Sequence, residues 1–394
     1  MNILVIGNGF DLAHGLPTKY TDFLDWIRLI RKIDELGNEC NCHRIINEIF
    51  YNGFEYKYNI KKLFLKLKRD DKELKKLLVL CKDNAWIDYF CNDLFLESNW
   101  IDFEHEISKV IQSFDKEKIK LKQHITKLKN EYMNNIFHSD KYLMDELKVI
   151  EYQKESDYVK SKIAPTFEMV INVLKRDLSK FIRLFEIYIS YVEEEKIVKI
   201  LPDIINMHVD NVVSFNYTDT FKKIYGKDKD IEYDFIHGKA DINNTIESNN
   251  MVLGIDEYLS KKRRDKDLEF IAFKKFYQRI YKQTGCKYKE WVEKIVEDEN
   301  KKPWIINKLD CSKDYMHNIF IFGHSLDVTD KDILRDLILH DNVHTTIFYH
   351  NKEELGKKIA NLVKVIGQEE LIKRTGGSTS TIEFKQQQDM QEQK

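Results

Sequence analysis

Met1-Asn-Ile-Leu-Val-Ile-Gly-Asn-Gly-Phe-Asp-Leu-Ala-His-Gly-Leu-Pro-Thr-Lys-Tyr20 is the stretch from which the architecture follows. Ile3 to Ile6 form an unbroken apolar run too short for a helix, so it reads as a buried strand. The run ends in Gly7-Asn8-Gly9. Thr18 is placed to cap a helix that begins near Tyr20 and carries Phe23, Leu24, Trp26 and Ile27 on its apolar positions. Strand, glycine turn and helix in this order suit an anion, because residues without Cβ let a phosphate approach main-chain N–H groups and a helix N-terminus adds a positive end. The dinucleotide fingerprint of a dehydrogenase is nevertheless incomplete. Leu12 stands where its third glycine belongs, and no acidic residue follows about twenty positions on at the end of a second strand. An ordinary dehydrogenase is disfavoured.

Outward from that stretch, 394 residues leave room for two or three domains. Lys+Arg 64 nearly balances Asp+Glu 66, so no global field recruits nucleic acid or a membrane. There is no basic and then apolar leader pattern at Met1 and no apolar run of membrane-spanning length, which predicts a cytoplasmic protein without a membrane partner. The six cysteines lack C-x-x-C spacing, and the cluster Cys40-Asn41-Cys42-His43 reads as free thiols in a helical region, so no metal is expected. Few prolines beside many tyrosines and phenylalanines predict long helices with aromatic packing.

From Asp22 to about Pro202 apolar residues recur with the helical period. The charged stretch Lys116 to Tyr158 suits an antiparallel helical pair. Within this region Asn99-Trp100-Ile101-Asp102-Phe103-Glu104-His105-Glu106 places Asp102 and Glu106 on one helical face, either at the edge of a cleft or at an acidic helix start. After Pro202 short β-branched and aromatic runs appear at Val212–Phe215, Tyr233–Ile236, Met251–Leu253, Ile319–Phe322 and Thr345–Tyr349, with helical segments at Asp267–Val296 and Asp330–Leu339. These are strands of a mainly parallel sheet covered on both faces. The fold class is therefore α/β, with a large helical insertion after the first strand. Expected domains are residues 1–22 plus 205–375 for the sheet, 23–204 for the insertion and 376–394 for a disordered tail that follows a last helix over Glu353–Arg374.

In such sheets the ligand crevice lies at the carboxyl ends of the strands. Those ends are polar: Gly7-Asn8-Gly9-Phe10-Asp11, Asn216-Tyr217-Thr218-Asp219, His237-Gly238 and Gly323-His324-Ser325-Leu326-Asp327. Four strands delivering Asn, His, Ser, Asp and Gly to one rim point to a composite site. His237 competes with a strand-capping role, and Asp327 with helix capping ahead of Val328.

Together the opening Asn8-Gly9-Phe10-Asp11-Leu12-Ala13-His14-Gly15-Leu16-Pro17-Thr18, the Trp100–Glu104 segment, Ser214-Phe215-Asn216-Tyr217-Thr218 and Gly323-His324-Ser325-Leu326 resemble the AbiH family of bacteriophage abortive-infection proteins. That family in turn resembles the sirtuin-like NAD-binding superfamily of Rossmann-like folds used by antiphage NADases. The resemblance implies NAD as substrate and catalytic roles for Asn216 and His237. It further implies cofactor-binding roles for Gly7, Asn8, Gly9, Asp11, Thr18, Asp219, Gly323, His324, Ser325 and Asp327. Asn8 and Phe10 replace the smaller residues common in sirtuins, Thr218 separates Tyr217 from Asp219, and the cysteine zinc module of the deacylases is absent. The implied function is antiphage defence by NAD hydrolysis, with a phage-derived trigger or partner defence protein and a homo-oligomeric assembly. The alternatives are a non-catalytic nucleotide-sensing module, or a nuclease recruiting Mg²⁺ through Asp102, Glu104 and Glu106.

Overall fold

The computed structural model describes residues 1–36, 71–92, 101–124, 167–197, 199–227, 229–306, 316–377 and 380–392. Cys40–His43, Trp100 and most of the 116–158 stretch lie outside them. The chain divides into two compact units: a sheet unit of Met1–Thr18, Val192–Ala240 and Lys282–Lys394, and a helical unit of Lys19–Tyr191 and Asp241–Tyr281.

Eight strands are described: β1 (Asn2–Ile6), β2 (Lys199–Ile200), β3 (Asn211–Ser214), β4 (Glu232–Phe235), β5 (His317–Phe322), β6 (Val343–Tyr349), β7 (Ile382–Gln386) and β8 (Gln391–Glu392). Six of them form one sheet in the order β4-β3-β1-β5-β6-β7, and every neighbouring pair is parallel. β2 and β8 pair separately and antiparallel. Side chains alternate across a strand, and in β1 both faces are apolar. Ile3 and Val5 join a core with Val213, Ile319, Ile321 and the helix Lys331–Ile338, while Leu4 and Ile6 join another with Val212, Phe10, Phe221 and Phe322. An apolar run buried on both faces is what a covered parallel strand requires. The chain runs from β1 outward to β3 and β4, then returns past β1 to β5. The strand order thus reverses between β1 and β5, the place where crevices open at the carboxyl ends of such sheets.

Several expectations need correction. The glycine turn leads at once into a short helix, Asn8–Ala13, because extended Gly7 serves as its N-cap, and the predicted helix follows as Tyr20–Leu36. Met251–Leu253 is buried but forms no strand, and it belongs to the helical unit. The Gln278 side chain takes a neighbouring strand's place there, accepting from Leu253 N–H at 3.0 Å and donating to its carbonyl at 3.1 Å. The helix expected over Asp267–Val296 is Lys275–Lys282 and Tyr288–Ile306, parted by Gly285 at φ +67°. The one expected over Glu353–Arg374 breaks at Gly367, φ +89°, into Lys352–Ile366 and Gln368–Thr375.

The tail is not wholly disordered. Ile382–Gln386 adds to β6 in parallel as the edge strand, with Ile382 buried and Phe384 packed on the core. Its apolar residues alternate with Glu383 and Lys385, and charged outward positions are what an edge tolerates. A chain ending at Thr375 is expected to unfold at lower urea, with stability reduced by about 2–4 kcal/mol for one buried isoleucine and one half-buried phenylalanine. An unchanged urea midpoint would contradict this placement.

The helical unit packs an aromatic core. Phe103 lies between Tyr20, at 4.2 Å, and Phe181, at 5.0 Å between ring centroids, and Phe23 stands 5.1 Å from Phe185. Among the described residues no helix is long and apolar enough to cross a membrane.

Candidate functional site

Every candidate rim residue belongs to the sheet unit. The glycines bring the β1 and β5 loops together. Gly9 N–H donates to Gly323 O at 2.8 Å and Gly7 N–H to Phe322 O at 3.2 Å. A Cβ on Gly9 would meet Gly323 O at 2.8 Å, and one on Gly7 would meet the His324 Cα at 2.7 Å. The lack of side chains is thus used by loop-to-loop packing, and the Gly9 and Phe10 N–H groups are spent within the loops. Asn8 and Thr18 close the same loop: the Thr18 hydroxyl donates to Asn8 Oδ1 at 2.5 Å. The Thr18 hydroxyl proton is thus spent on Asn8.

Asp11, buried beneath this loop, accepts the Thr218 hydroxyl at 2.7 Å through Oδ2, while its Oδ1 has no hydrogen-bond partner among the described residues. Burial lifts its pKa from 3.8 to about 7, opposed by Thr218 and Thr220 and aided by Glu193 and Asp219. Between about pH 4 and 7 the folded protein keeps a proton that the unfolded chain has lost, so stability falls as pH rises through that window and levels above it. Asp11→Asn, which preserves an acceptor for Thr218, is expected to abolish that slope and raise stability at pH 8 by a few kcal/mol, at most about 4. Urea midpoints at pH 5 and pH 8 that move in parallel for both proteins would contradict it.

His14, between the strands' loops, is fully engaged. Nδ1 donates to Phe10 O at 2.7 Å and Nε2 accepts from the Tyr225 hydroxyl at 2.8 Å, a neutral tautomer consistent with burial lowering its pKa. It is a structural histidine.

Asn216 follows β3. Its backbone N–H and carbonyl bond the Ser214 hydroxyl at 3.2 Å, which turns the side chain into the interior. Only 4% of the residue is exposed, and among the described residues neither Oδ1 nor Nδ2 has a hydrogen-bond partner. The next loop is tied to it, since Ala240 N–H donates to Tyr217 O at 2.8 Å and the Tyr217 and His237 rings are 6.3 Å apart. Phe215 stands between the two rim histidines, with centroids 5.5 Å from His237 and 4.3 Å from His324. Both imidazoles face Asp330, a buried residue that sequence reasoning treated only as a helix start.

The remaining candidates do structural work. Asp219 binds Lys223 at 2.8 Å and Lys239 at 2.6 Å; burial alone would raise its pKa, and these cations bring it below the ordinary value. Asp327 caps the turn after β5 by accepting the Thr329 N–H at 2.9 Å. Ser325 is exposed, and its carbonyl accepts from Asn361 at 3.0 Å. Lys358 was not anticipated: it is buried, donates to His324 O at 2.8 Å and pairs with Glu354 at 3.2 Å. Nothing in Gly356-Lys357-Lys358 distinguishes it from its exposed neighbour.

In the helical unit, Asp102 accepts the His105 N–H at 3.0 Å as an N-cap, Glu104 pairs with Lys275 at 2.7 Å, and Glu106 pairs with Lys109 at 2.7 Å. They do not converge. Among the described residues no group of His, Cys, Asp and Glu is arranged to hold a metal ion.

Fold and rim define a parallel-sheet α/β protein with buried Asn and His side chains at its strand ends. A family model described as "Bacteriophage abortive infection AbiH" matches residues 3–350, which takes in the whole rim. The chain belongs to the AbiH family. No curated protein and no solved structure matches it.

Proposed function

We propose that the protein is an abortive-infection effector that binds NAD at the rim of its sheet and hydrolyses the nicotinamide–ribose bond. The observation that carries this reading is Asn216, an amide buried at the end of β3 with neither polar atom partnered among the described residues. Leaving such a group unmade costs about 1–3 kcal/mol, and folds keep such groups where a ligand or water satisfies them. Counted within the sheet, the strand order reads 3-2-1-4-5-6, the order of doubly wound dinucleotide-binding folds, and this supports a Rossmann-like and sirtuin-like relationship.

The chemistry asks for little nucleophilic power. Nicotinamide leaves as a neutral group, and the ribose passes through an oxocarbenium-like state. In this reading Asn216 orients the ribose or the attacking water without bringing charge, and His237, beside Asp330, acts as general base. Asp11, whose burial-raised pKa of about 7 lets it hold or release a proton near neutrality, would donate or accept toward a ribose hydroxyl. Autoinhibition, or a requirement for homo-oligomer assembly, would restrain the activity in the resting cell until a phage-derived trigger or a partner defence protein releases it.

A second reading is a rim that binds nucleotide without turnover. It is favoured by the deep burial of His237 and His324. Nicotinamide release by the purified protein, with and without phage lysate, separates the two. Release lost in His237→Ala supports the hydrolase, whereas binding without release in any condition favours the sensor.

A further inference from the structure

Two imidazoles carried by different strands meet one carboxylate. Nε2 of His237, after β4, lies 3.5 Å from Asp330 Oδ1, and Nε2 of His324, after β5, lies 3.5 Å from Asp330 Oδ2. All three side chains are buried. The His324 tautomer is set from its other edge: Nδ1 accepts the Leu326 N–H at 2.9 Å, so the neutral ring carries its proton on Nε2, toward Asp330. The Leu326 backbone that makes this contact is itself left-handed, φ +59°, which is costly for a leucine and is retained where surrounding structure demands it.

Several other charges on these elements are already committed. Lys358 pairs with Glu354, Lys239 pairs with Asp219, Asp327 caps its turn, and Asp234 of β4 accepts the Tyr288 N–H at 2.8 Å. A carboxylate in a poorly hydrated place favours a proton on either neighbouring ring, but two imidazolium rings on one carboxylate repel each other. Such sites titrate in steps that belong to the pair.

We propose that Asp330 positions His237 and His324 as one coupled acid–base pair, which takes up a single proton between its two rings before a second can follow. Its chemical use rests on the hydrolase reading. There the electron pair of the C1′–N bond leaves with nicotinamide, whose ring nitrogen becomes neutral. A water oxygen bonds C1′, and the water's proton passes to Nδ1 of His237. The imidazolium keeps its Nε2–H toward Asp330 while His324 stays neutral, and the proton then leaves to solvent. Asp330 touches no reacting atom and is a positioning residue.

The test is a pH titration of the full chain with ¹⁵N-labelled histidine, following the ring nitrogens of His237 and His324, in parallel with nicotinamide release. Wild type is expected to show Nε2–H tautomers for both neutral rings and two protonation steps. In Asp330→Asn the first step should fall by about one pH unit, a tenfold weaker proton affinity, and the acid limb of release should move with it; Asp330→Glu should restore both in part. In His324→Gln, which keeps Asp330, His237 should titrate in one step in place of two. Unchanged His237 titration in Asp330→Asn and His324→Gln would overturn the proposal, as would an unmoved acid limb. Coupled titration in a protein that never releases nicotinamide would uphold the pair and overturn the hydrolase reading.

Discussion

Asn216→Ala is expected to lower nicotinamide release by at least about 100-fold while leaving the melting temperature unchanged or raised. Positioning groups acting at a transition state carry effects of this size. The separation of function from stability is the informative part. The amide makes no hydrogen bond among the described residues, so truncation removes an unsatisfied buried donor and acceptor rather than a stabilising contact. A structural asparagine would behave in the opposite way: loss of stability with any loss of activity following from unfolding. Thermal melts and release rates on the same preparation distinguish them.

Gly323→Ala is expected to be the most damaging single-methyl change in the sheet unit. Its backbone has φ +66°, and a Cβ there would sit 2.1 Å from Phe10 N and 2.6 Å from the Gly9 carbonyl carbon. Neither atom is the end of a flexible side chain, so the β1 and β5 loops must separate and lose the Gly9–Gly323 hydrogen bond. Left-handed strain alone costs a non-glycine residue about 1–2 kcal/mol, and the overlap adds more; we expect a loss of at least about 4 kcal/mol, or failure to accumulate folded protein. Gly356→Ala is the matched control. Nothing lies within 4 Å of its Cβ position and it is inside a helix, so stability should rise by up to about 1 kcal/mol. Comparable urea midpoints for Gly323→Ala and wild type would contradict the loop packing.

Legibility in the sequence followed the physical signals. β1 and the runs that became β3, β4, β5 and β6 were readable because strands covered on both faces are short and apolar, and the loops at their polar ends lie together. Met251–Leu253 carries the same signal and misled, since burial against the Gln278 amide satisfies an extended segment without a sheet. β7 was missed because an edge strand with Glu383 and Lys385 facing outward resembles a polar tail. The opening glycines Gly7 and Gly9 read as room for a phosphate, yet the room is filled by the opposing loop at Gly323 and His324. Asp330 and Lys358 were invisible: each is a charged residue in an ordinary helical pattern, and only the return of β5 beside β1 brings them to the rim. The unpartnered amide of Asn216 is likewise a property of three-dimensional packing.

The most direct test of the rim as a nucleotide site is an equilibrium titration of ADP-ribose, the hydrolysis product, which retains all of NAD but the nicotinamide and is not consumed. Wild type is expected to bind it saturably at one site per chain, and Asn216→Ala to bind it at least about tenfold more weakly, the loss of one buried hydrogen-bonded contact. Absence of binding to wild type at millimolar ligand, or equal affinity in the two proteins, would contradict the assignment of the site to Asn216 and its neighbours.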